Sequence, residues 1–224
     1  MKRHSKRYMA LKEKIDSSKL YSLEEAVSVL KETSNTKFDS GVEIHVKTGI
    51  DVKQSDQNVR GTVSLPYGTG KKQIIAAITT KPDKAKQAGA ELCGGEEIIK
   101  EIQAGKINFD VLVAEPQFMP KLAVVAKILG PRGLMPSPKN GTVTDNVTGA
   151  IEELSKGKVS FKNDDTGNIH LLVGRISFEP DKLKENIKAA FDSIKGSRPA
   201  SAKGAFIVNV SLSTTMGPGI KVSV

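Results

Sequence analysis

Tryptophan is absent from this 224-residue sequence, and aromatic side chains make up only 4% of it. General single-strand nucleic-acid binders stack bases on aromatic side chains, so this shortage argues against that class. Cysteine occurs once, at Cys93, which excludes an internal disulfide, favours a reducing compartment and is expected to be a small core residue. No apolar run reaches the roughly 18 residues of a membrane span, and no signal-peptide pattern is present. The sequence therefore predicts a cytosolic protein with no membrane partner.

Reactive side chains are too sparse and scattered to indicate an enzyme. The three histidines, His4, His45 and His170, lie far apart in the sequence and lack metal-ligand spacing. Neither the nucleophile motif G-x-S-x-G nor the dinucleotide motif G-x-G-x-x-G occurs. The glycine-rich stretch SLPYGTGKKQ lacks the first glycine of a phosphate loop, so a hinge is predicted at residues 66–70 instead. No catalytic residue, cofactor or metal is expected.

An excess of basic side chains is the clearest compositional signal. The sequence has 34 Lys and Arg against 25 Asp and Glu, a net charge of +9 and a pI near 9.5. Such a balance favours a polyanionic partner, with nucleic acid first. Residues 1–67, 68–158 and 159–224 each carry a third of the net charge, so charge does not locate the binding section. The basic N-terminal arm KRHSKR, residues 2–7, is either part of that surface or a disordered tail.

The first and last sections combine strands with helices. Ser22 and Glu25 form a capping box at the start of the predicted helix SLEEAVSVLKET. Alternating apolar residues predict strands with one polar face in SGVEIHVKTG and NVRGTVSLP. In the last section, KVSFKND and NIHLLVG flank a hairpin-type turn at residues 164–167, and EPDKLKENIKAAFDSIKG predicts a helix. The strands AFIVNVSL and IKVSV then bracket the stretch STTMGPG, which carries more chemistry than a plain turn needs.

The middle section alternates short apolar strands, QIIAAIT and FDVLVAEP, with the predicted helices PDKAKQAGA, GEEIIKEIQAG and MPKLAVVAKIL. This pattern predicts a parallel sheet covered by helices, a Rossmann-like three-layer α/β arrangement. We therefore expect two domains: a split α+β domain of residues 1–67 plus 159–224, and an inserted α/β domain of residues 68–158. The G-x-x-G in ILGPRGLM could indicate a KH domain, but Pro136 and Pro138 oppose the helix that must follow such a loop.

Six motifs occur in the order found in the bacterial ribosomal protein L-one family: KFDSGVEIHVKTGID, SDQNVRGTVSLPYGTGK, GGEEII, ILGPRGLMPSPKNGTV, KNDDTGNIH and TTMGP. The sequence resembles this family over nearly its whole length. The resemblance implies a side-stalk protein of the large ribosomal subunit, whose split domain grips a folded region of large-subunit ribosomal RNA. It also implies a cytoplasmic, ribosome-associated protein that is a monomer when free. Help with movement and release of exit-site tRNA, and repression of its own operon's messenger RNA, are implied as well.

The resemblance further implies that Phe38, Glu43, Thr215, Met216 and Gly217 contact RNA. On chemical grounds we add the neighbouring Thr214 and the two lysines Lys37 and Lys162 as candidate RNA-binding residues. Hydroxyl groups suit the 2′-OH of RNA, a glycine admits close backbone approach, and methionine offers a flexible apolar surface. The two lysines would contact phosphates. Phe38 in the core, Met216 as a plug of the hairpin and the lysines as solvated surface charges remain alternatives.

Two different functions also remain open at this point. One is an α/β enzyme that uses residues 68–158, and the other is a KH-like binder of single-stranded nucleic acid. Gly41 stands where many relatives of the family carry a small hydroxyl residue, so any RNA contact made by that side chain is absent here.

Overall fold

A computed structural model describes residues 5–16 and 18–223 of the chain. Contacts divide the chain into two compact units. The first unit runs up to Gly70 and resumes at Val159, and the second spans Lys71–Lys158. The predicted crossings, residues 66–70 and 155–158, end at these two division points.

Ten strands and eight α-helices form within the described ranges. The strands are β1 (Tyr21–Ser22), β2 (Gly41–Thr48), β3 (Arg60–Ser64), β4 (Ile75–Ile78), β5 (Leu92–Gly94), β6 (Val111–Ala114), β7 (Lys158–Lys162), β8 (Asn168–Arg175), β9 (Ile207–Thr214) and β10 (Ile220–Ser223). The helices are α1 (Lys6–Glu13), α2 (Leu23–Thr33), α3 (Pro82–Gln87), α4 (Glu96–Gln103), α5 (Met119–Leu122), α6 (Ala126–Leu129), α7 (Val147–Ser155) and α8 (Pro180–Gly196).

The first unit is built on a five-stranded mixed sheet in the order β1–β10–β9–β2–β8. β2 pairs antiparallel with both β8 and β9, so that Gly41 lies opposite Arg175 and Val42 lies opposite Thr214. β1 runs parallel to β10, and β3 and β7 form a separate two-stranded sheet. The beginning of β2 and the end of β9 therefore lie side by side at one end of the sheet.

Helices α2 and α8 pack on one face of this sheet. The predicted capping box of α2 is confirmed: the Ser22 hydroxyl accepts from the Glu25 amide at 3.3 Å, and the Glu25 carboxylate accepts from the Ser22 amide at 3.2 Å. The two helices and β2 contribute buried side chains to one core, namely Ala26, Val27, Leu30, Val42, Ile44, Val46, Leu183, Ile187, Ala190 and Ile194. Because neighbouring strand residues point to opposite faces, Glu43, His45 and Lys47 of β2 lie on the uncovered face, as predicted.

The second unit is a three-layer α/β structure. Its parallel sheet has the order β5–β4–β6. Buried residues of α3 and α7 pack on one face, and buried residues of α4, α5 and α6 pack on the other. Cys93 on β5 is partly buried beside the first of these faces, and burial raises the pKa of its thiol. The predicted fold class, mixed α/β with helices covering a parallel sheet, is confirmed.

The prediction of one continuous helix over MPKLAVVAKIL is wrong. The chain instead forms α5, a 3₁₀ turn at Ala123–Val125, and α6. Two consecutive β-branched residues, Val124 and Val125, are poor helix formers, which agrees with the switch to tighter hydrogen bonding at this point. Leu122, Val125 and Leu129 are nevertheless fully buried, so the spacing identified the buried face but not the backbone geometry.

The predicted turn at residues 164–167 is present: the Gly167 amide donates to the Asp164 carbonyl at 3.2 Å, and an isolated antiparallel bridge joins Asn163 to Ile169. Beyond this turn, β7 pairs with β3 and β8 pairs with β2, so KVSFKND and NIHLLVG do not extend into one two-stranded ladder. Four elements were not predicted: α1, β1, β5 and α7. α1 includes Lys6 and Arg7 of the basic arm, whereas residues 2–4 of that arm lie outside the described residues.

Candidate RNA interface

Two loops meet at the end of the sheet where β2 begins and β9 ends. The first, residues 34–40, leads into β2, and the second, residues 215–219, joins β9 to β10; we call them the entry loop and the hairpin loop. Their junction is held by Gly41 and Thr215. The Thr215 amide donates to the Gly41 carbonyl at 2.9 Å, and the Gly41 amide donates to Thr215 Oγ1 at 3.1 Å. The pairing thus brings together two segments 174 residues apart in sequence.

The entry loop has a fixed shape. The Asp39 carboxylate accepts from the amide and the hydroxyl of Ser177, at 3.1 and 2.8 Å, and Arg175 donates to the Asp39 carbonyl at 2.9 Å. With its backbone held in this way, the loop exposes Lys37 and Phe38 to solvent, and Phe38 is 53% exposed. The alternative that Phe38 lies in the core is therefore wrong.

The hairpin loop contains an unusual backbone conformation. Met216 has a φ of 69°, and among the described residues it is the one non-glycine residue with a positive φ. Its side chain is 64% exposed, so it does not plug the hairpin. The Gly217 amide donates to the Thr214 carbonyl at 2.8 Å, which closes the turn. Residues held in sparsely populated conformations cluster at binding sites, and this outlier marks the loop as a candidate one.

Thr214, the last residue of β9, and Thr215, the first residue of the hairpin loop, differ in their exposure. Thr214 is only 3% exposed, because it shares the buried face of β9 with Val210 and Leu212. Its side chain is therefore almost inaccessible from the protein surface. Thr215 is half-buried, and its hydroxyl oxygen already accepts from the Gly41 amide. The hydroxyl proton of Thr215 remains able to donate to a further acceptor, since its approach to the Gly41 carbonyl is long, at 3.4 Å.

A histidine pair continues the candidate interface along the uncovered face of the sheet. His45 and His170 lie opposite each other on β2 and β8, with their Nδ1 atoms 2.8 Å apart, so one ring donates and the other accepts. His45 Nε2 lies 2.8 Å from Ser213 Oγ and 3.8 Å from a carboxylate oxygen of Glu43. The three histidines lie far apart in the sequence, but the fold brings His45 and His170 into contact, and His4 lies outside the described residues. Sequence reasoning missed this pair because it could not supply the strand register. Two histidines on the polar faces of strands can be recognised as neighbours only when that register is known.

Electrostatics at this face are set by burial and by hydrogen bonds. Burial lowers the pKa of His45, and the neighbouring His170 lowers it further, while Glu43 acts in the opposite direction. Beyond His170, the Asp164 carboxylate accepts from the Asn168 amide at 2.7 Å and from the Thr166 amide at 2.9 Å. These hydrogen bonds hold the pKa of Asp164 well below its ordinary value. The carboxylate therefore stays ionised and holds the 164–167 turn.

The remaining predicted residues are placed as follows. Glu43 lies on β2 with 41% of its side chain exposed, close to the junction of the two loops. Lys162 is exposed, but it ends β7 in the two-stranded sheet, so it does not share the strands that carry the other residues. A Cβ atom at Gly41 would lie 2.7 Å from Leu172 Cδ1 and 3.3 Å from Thr215 Oγ1. A hydroxyl side chain at position 41 would thus require Leu172 to shift.

Comparison with known proteins places the chain in a family. The model of the ribosomal protein L1p/L10e family matches residues 30–218. The chain belongs to this family. Large ribosomal subunit protein uL1 of Fervidobacterium nodosum is 51% identical over 99% of this chain and 95% of its own. The proteins of the same name from Kosmotoga olearia and Mycoplasma capricolum are each 48% identical over 99% of this chain, and 96% and 99% of their own lengths are covered.

Family membership confirms several predictions. The chain is a structural protein of the large ribosomal subunit and not an enzyme, so the α/β-enzyme alternative is wrong. Ribosome association, predicted from the resemblance, follows from the same finding. In addition, none of the helices in residues 5–16 and 18–223 is long and apolar enough to cross a membrane.

Two features of the second unit bear on the other functions that the sequence left open. A cleft of about 330 Å³ lies beyond the carboxyl ends of β4 and β6, where α/β enzymes bind substrates. Its buried acid, Glu115, accepts from the hydroxyls of Thr79 and Thr80 and from the Thr80 amide, so its oxygens stabilise the fold.

After the G-x-x-G at residues 130–133, the chain continues irregularly into a 3₁₀ turn at Pro138–Asn140. A KH loop would lead into a helix, so this arrangement does not favour KH-type binding.

Proposed function

We propose that the chain binds large-subunit ribosomal RNA through the entry loop, the hairpin loop and the adjoining end of β2. The observation that carries this proposal is the pair of exposed apolar side chains, Phe38 and Met216, on two loops joined by the Gly41–Thr215 hydrogen bonds. Exposed apolar side chains carried on two hydrogen-bonded loops suit a surface on which bases or riboses pack.

The polar groups around these side chains suit the same partner. Glu43 can accept from ribose hydroxyls or base amino groups, and Thr215 can donate its hydroxyl proton. Gly217 permits close approach of a sugar-phosphate backbone, and Lys37 is free to reach a phosphate. Lys162 would contribute from β7, outside the five-stranded sheet. Thr214 would act indirectly, by supporting the hairpin loop from the buried face.

The proposal extends to the roles that the resemblance implies. We assign the RNA-binding surface to the split unit of residues 1–67 and 159–224, with residues 68–158 as a separate α/β unit. Contact with exit-site tRNA and repression through the operon messenger RNA would follow from that assignment, the latter by use of the same surface. The free protein is proposed to be a monomer.

The test measures the affinity of the full chain for a structured fragment of stalk ribosomal RNA and for an unrelated single strand of equal length. Phe38→Ala and Met216→Ala should each weaken binding of the structured fragment by about 5- to 150-fold, since losing one base contact costs about 1–3 kcal/mol. Val208→Ala is the matched control, because Val208 is 62% exposed on β9 outside both loops. Equal affinity for the two RNAs, or equal loss in the control, would overturn the proposal.

A further inference from the structure

One side chain outside the predicted site touches both of its loops. Arg7 lies in the first turn of α1, which is capped by Ser5 through a hydrogen bond from the Tyr8 amide to the Ser5 hydroxyl at 3.3 Å. Arg7 Nη1 donates to Asn35 Oδ1 at 2.9 Å, and Arg7 Nη2 donates to the Met216 carbonyl at 2.9 Å. One guanidinium group therefore bridges the entry loop and the hairpin loop.

The Arg7 bridge contacts a residue that has an uncommon backbone conformation. The Met216 carbonyl belongs to the residue with positive φ, a conformation that persists only where its surroundings fix it. The Gly41–Thr215 hydrogen bonds join the loops where the sheet begins, whereas Arg7 contacts Asn35 near the α2 end of the entry loop and Met216, the residue after Thr215. The planar guanidinium can donate two hydrogen bonds in fixed directions, which a lysine ammonium on a flexible stem does not reproduce.

We propose that Arg7 is a positioning residue, which fixes the relative placement of the entry loop and the hairpin loop for RNA binding. The inference rests on the proposed function, because it assigns a supporting role to α1 at that surface. It also separates the basic residues of α1 by role: Arg7 acts through Asn35 and Met216, while Lys6 and Lys12 on the same helix are exposed charges.

A direct phosphate contact is the competing role for Arg7, and the two roles give different results. A phosphate contact depends on charge, so Arg7→Lys would retain affinity and Arg7→Gln would reduce the salt dependence of binding by about one released counterion. A positioning role depends on the two directed hydrogen bonds. Arg7→Lys and Arg7→Gln should then weaken binding of the stalk RNA fragment equally, by about 5- to 20-fold, with the salt dependence unchanged.

Lys6→Gln and Lys12→Gln are matched controls, since each removes one charge from α1 without touching either loop. A variant at the other end of the bridge, Asn35→Ala, should weaken binding, and combining it with Arg7→Gln should add little further loss. Wild-type affinity in Arg7→Lys, or purely additive losses in the double variant, would overturn the inference.

A second measurement uses the free protein and does not depend on RNA. The chain has five methionines, and selective ¹³C-methyl labelling gives each a separate NMR signal, with Met216 assigned from the variant Met216→Leu. Arg7→Lys should shift and broaden the Met216 signal, whereas Lys6→Gln should leave it unchanged. An unchanged Met216 signal in Arg7→Lys would contradict the bridge itself. If the wild-type chain fails to bind the RNA while this signal responds, the proposed function fails and the bridge stands.

Discussion

The hairpin loop offers two glycines whose replacement by alanine should have opposite consequences. A Cβ atom at Gly217 would lie 2.2 Å from Thr214 Oγ1, whereas a Cβ atom at Gly219 would meet nothing within 4 Å. Neither glycine has a positive φ, so the backbone tolerates alanine at both positions. Gly217→Ala and Gly219→Ala are therefore the same chemical change, two residues apart, and they differ in the space available.

The size of the effect follows from the surroundings of Thr214. Real Cβ atoms essentially never come within 3.0 Å of another heavy atom, and Thr214 is 3% exposed, so its side chain has little room to move away. Overpacking of this kind costs about 1–3 kcal/mol. Replacing glycine by alanine also restricts the unfolded chain, which offsets about 0.4–1 kcal/mol. With both effects near the middle of their ranges, Gly217→Ala should lower the free energy of unfolding by about 1–2 kcal/mol, and Gly219→Ala should leave it unchanged or raise it slightly.

Urea denaturation and RNA binding measure the two consequences. With a denaturant slope of about 2 kcal/mol per molar urea, the midpoint of Gly217→Ala should fall by about 0.5–1 M. RNA affinity should fall as well, because the clash displaces the turn that presents Met216. The double variant Thr214→Ala/Gly217→Ala removes the crowded hydroxyl oxygen and leaves the backbone carbonyl oxygen and Cβ of residue 214 at 3.3 and 3.4 Å, so it should recover part of both losses. A double variant no better than Gly217→Ala, or an equal loss in Gly219→Ala, would refute the steric reasoning.

Two further predictions concern the same surface. Thr215→Val removes the acceptor of the Gly41 amide, so the free energy of unfolding should fall by about 0.5–1.5 kcal/mol alongside RNA affinity; an unchanged urea midpoint would contradict this. The pKa of His45 is lowered in the folded protein from its ordinary value of 6.5, so this residue stabilises the fold fully above about pH 6.5 and less as the pH falls. His45→Gln should flatten the dependence of the urea midpoint on pH between 5 and 7, and a curve parallel to that of the wild type would rule out this role.

Much of the fold was predictable because its signals are local. The capping box of Ser22 and Glu25, the apolar stripe of α8 and the alternation along β2 each lie within a few residues. α1 gave no such signal, because Leu11 is its single buried residue and one apolar position shows no helical spacing. Charged residues such as Lys6 and Lys12 are exposed on the same helix. Its place in the fold depends on contacts with distant segments, which periodicity does not reveal.

The candidate site was predictable to a similar extent. Phe38 and Met216 were identified through the resemblance, and their exposure agrees with a binding role that remains a proposal. The burial of Thr214 could have been anticipated, because alternate residues of a strand share one face and Thr214 alternates with the apolar Val210 and Leu212 on β9. The remaining parts of the interface depend on which strands pair and on where α1 packs, and neither is encoded locally.

The two segments of the first unit cannot form the proposed surface separately. Phe38 and Glu43 come before the inserted unit, and Met216 comes after it, so the surface exists only when β9 pairs with β2. The contacts that then join the loops, Gly41 with Thr215 and Arg7 with Met216, all cross the insertion. RNA affinity should consequently follow the completion of the five-stranded sheet rather than basic charge, which the three sections of the chain share equally. On the proposed function, the net charge of +9 would attract polyanions in general, and the placement of the two loops would select one folded RNA among them.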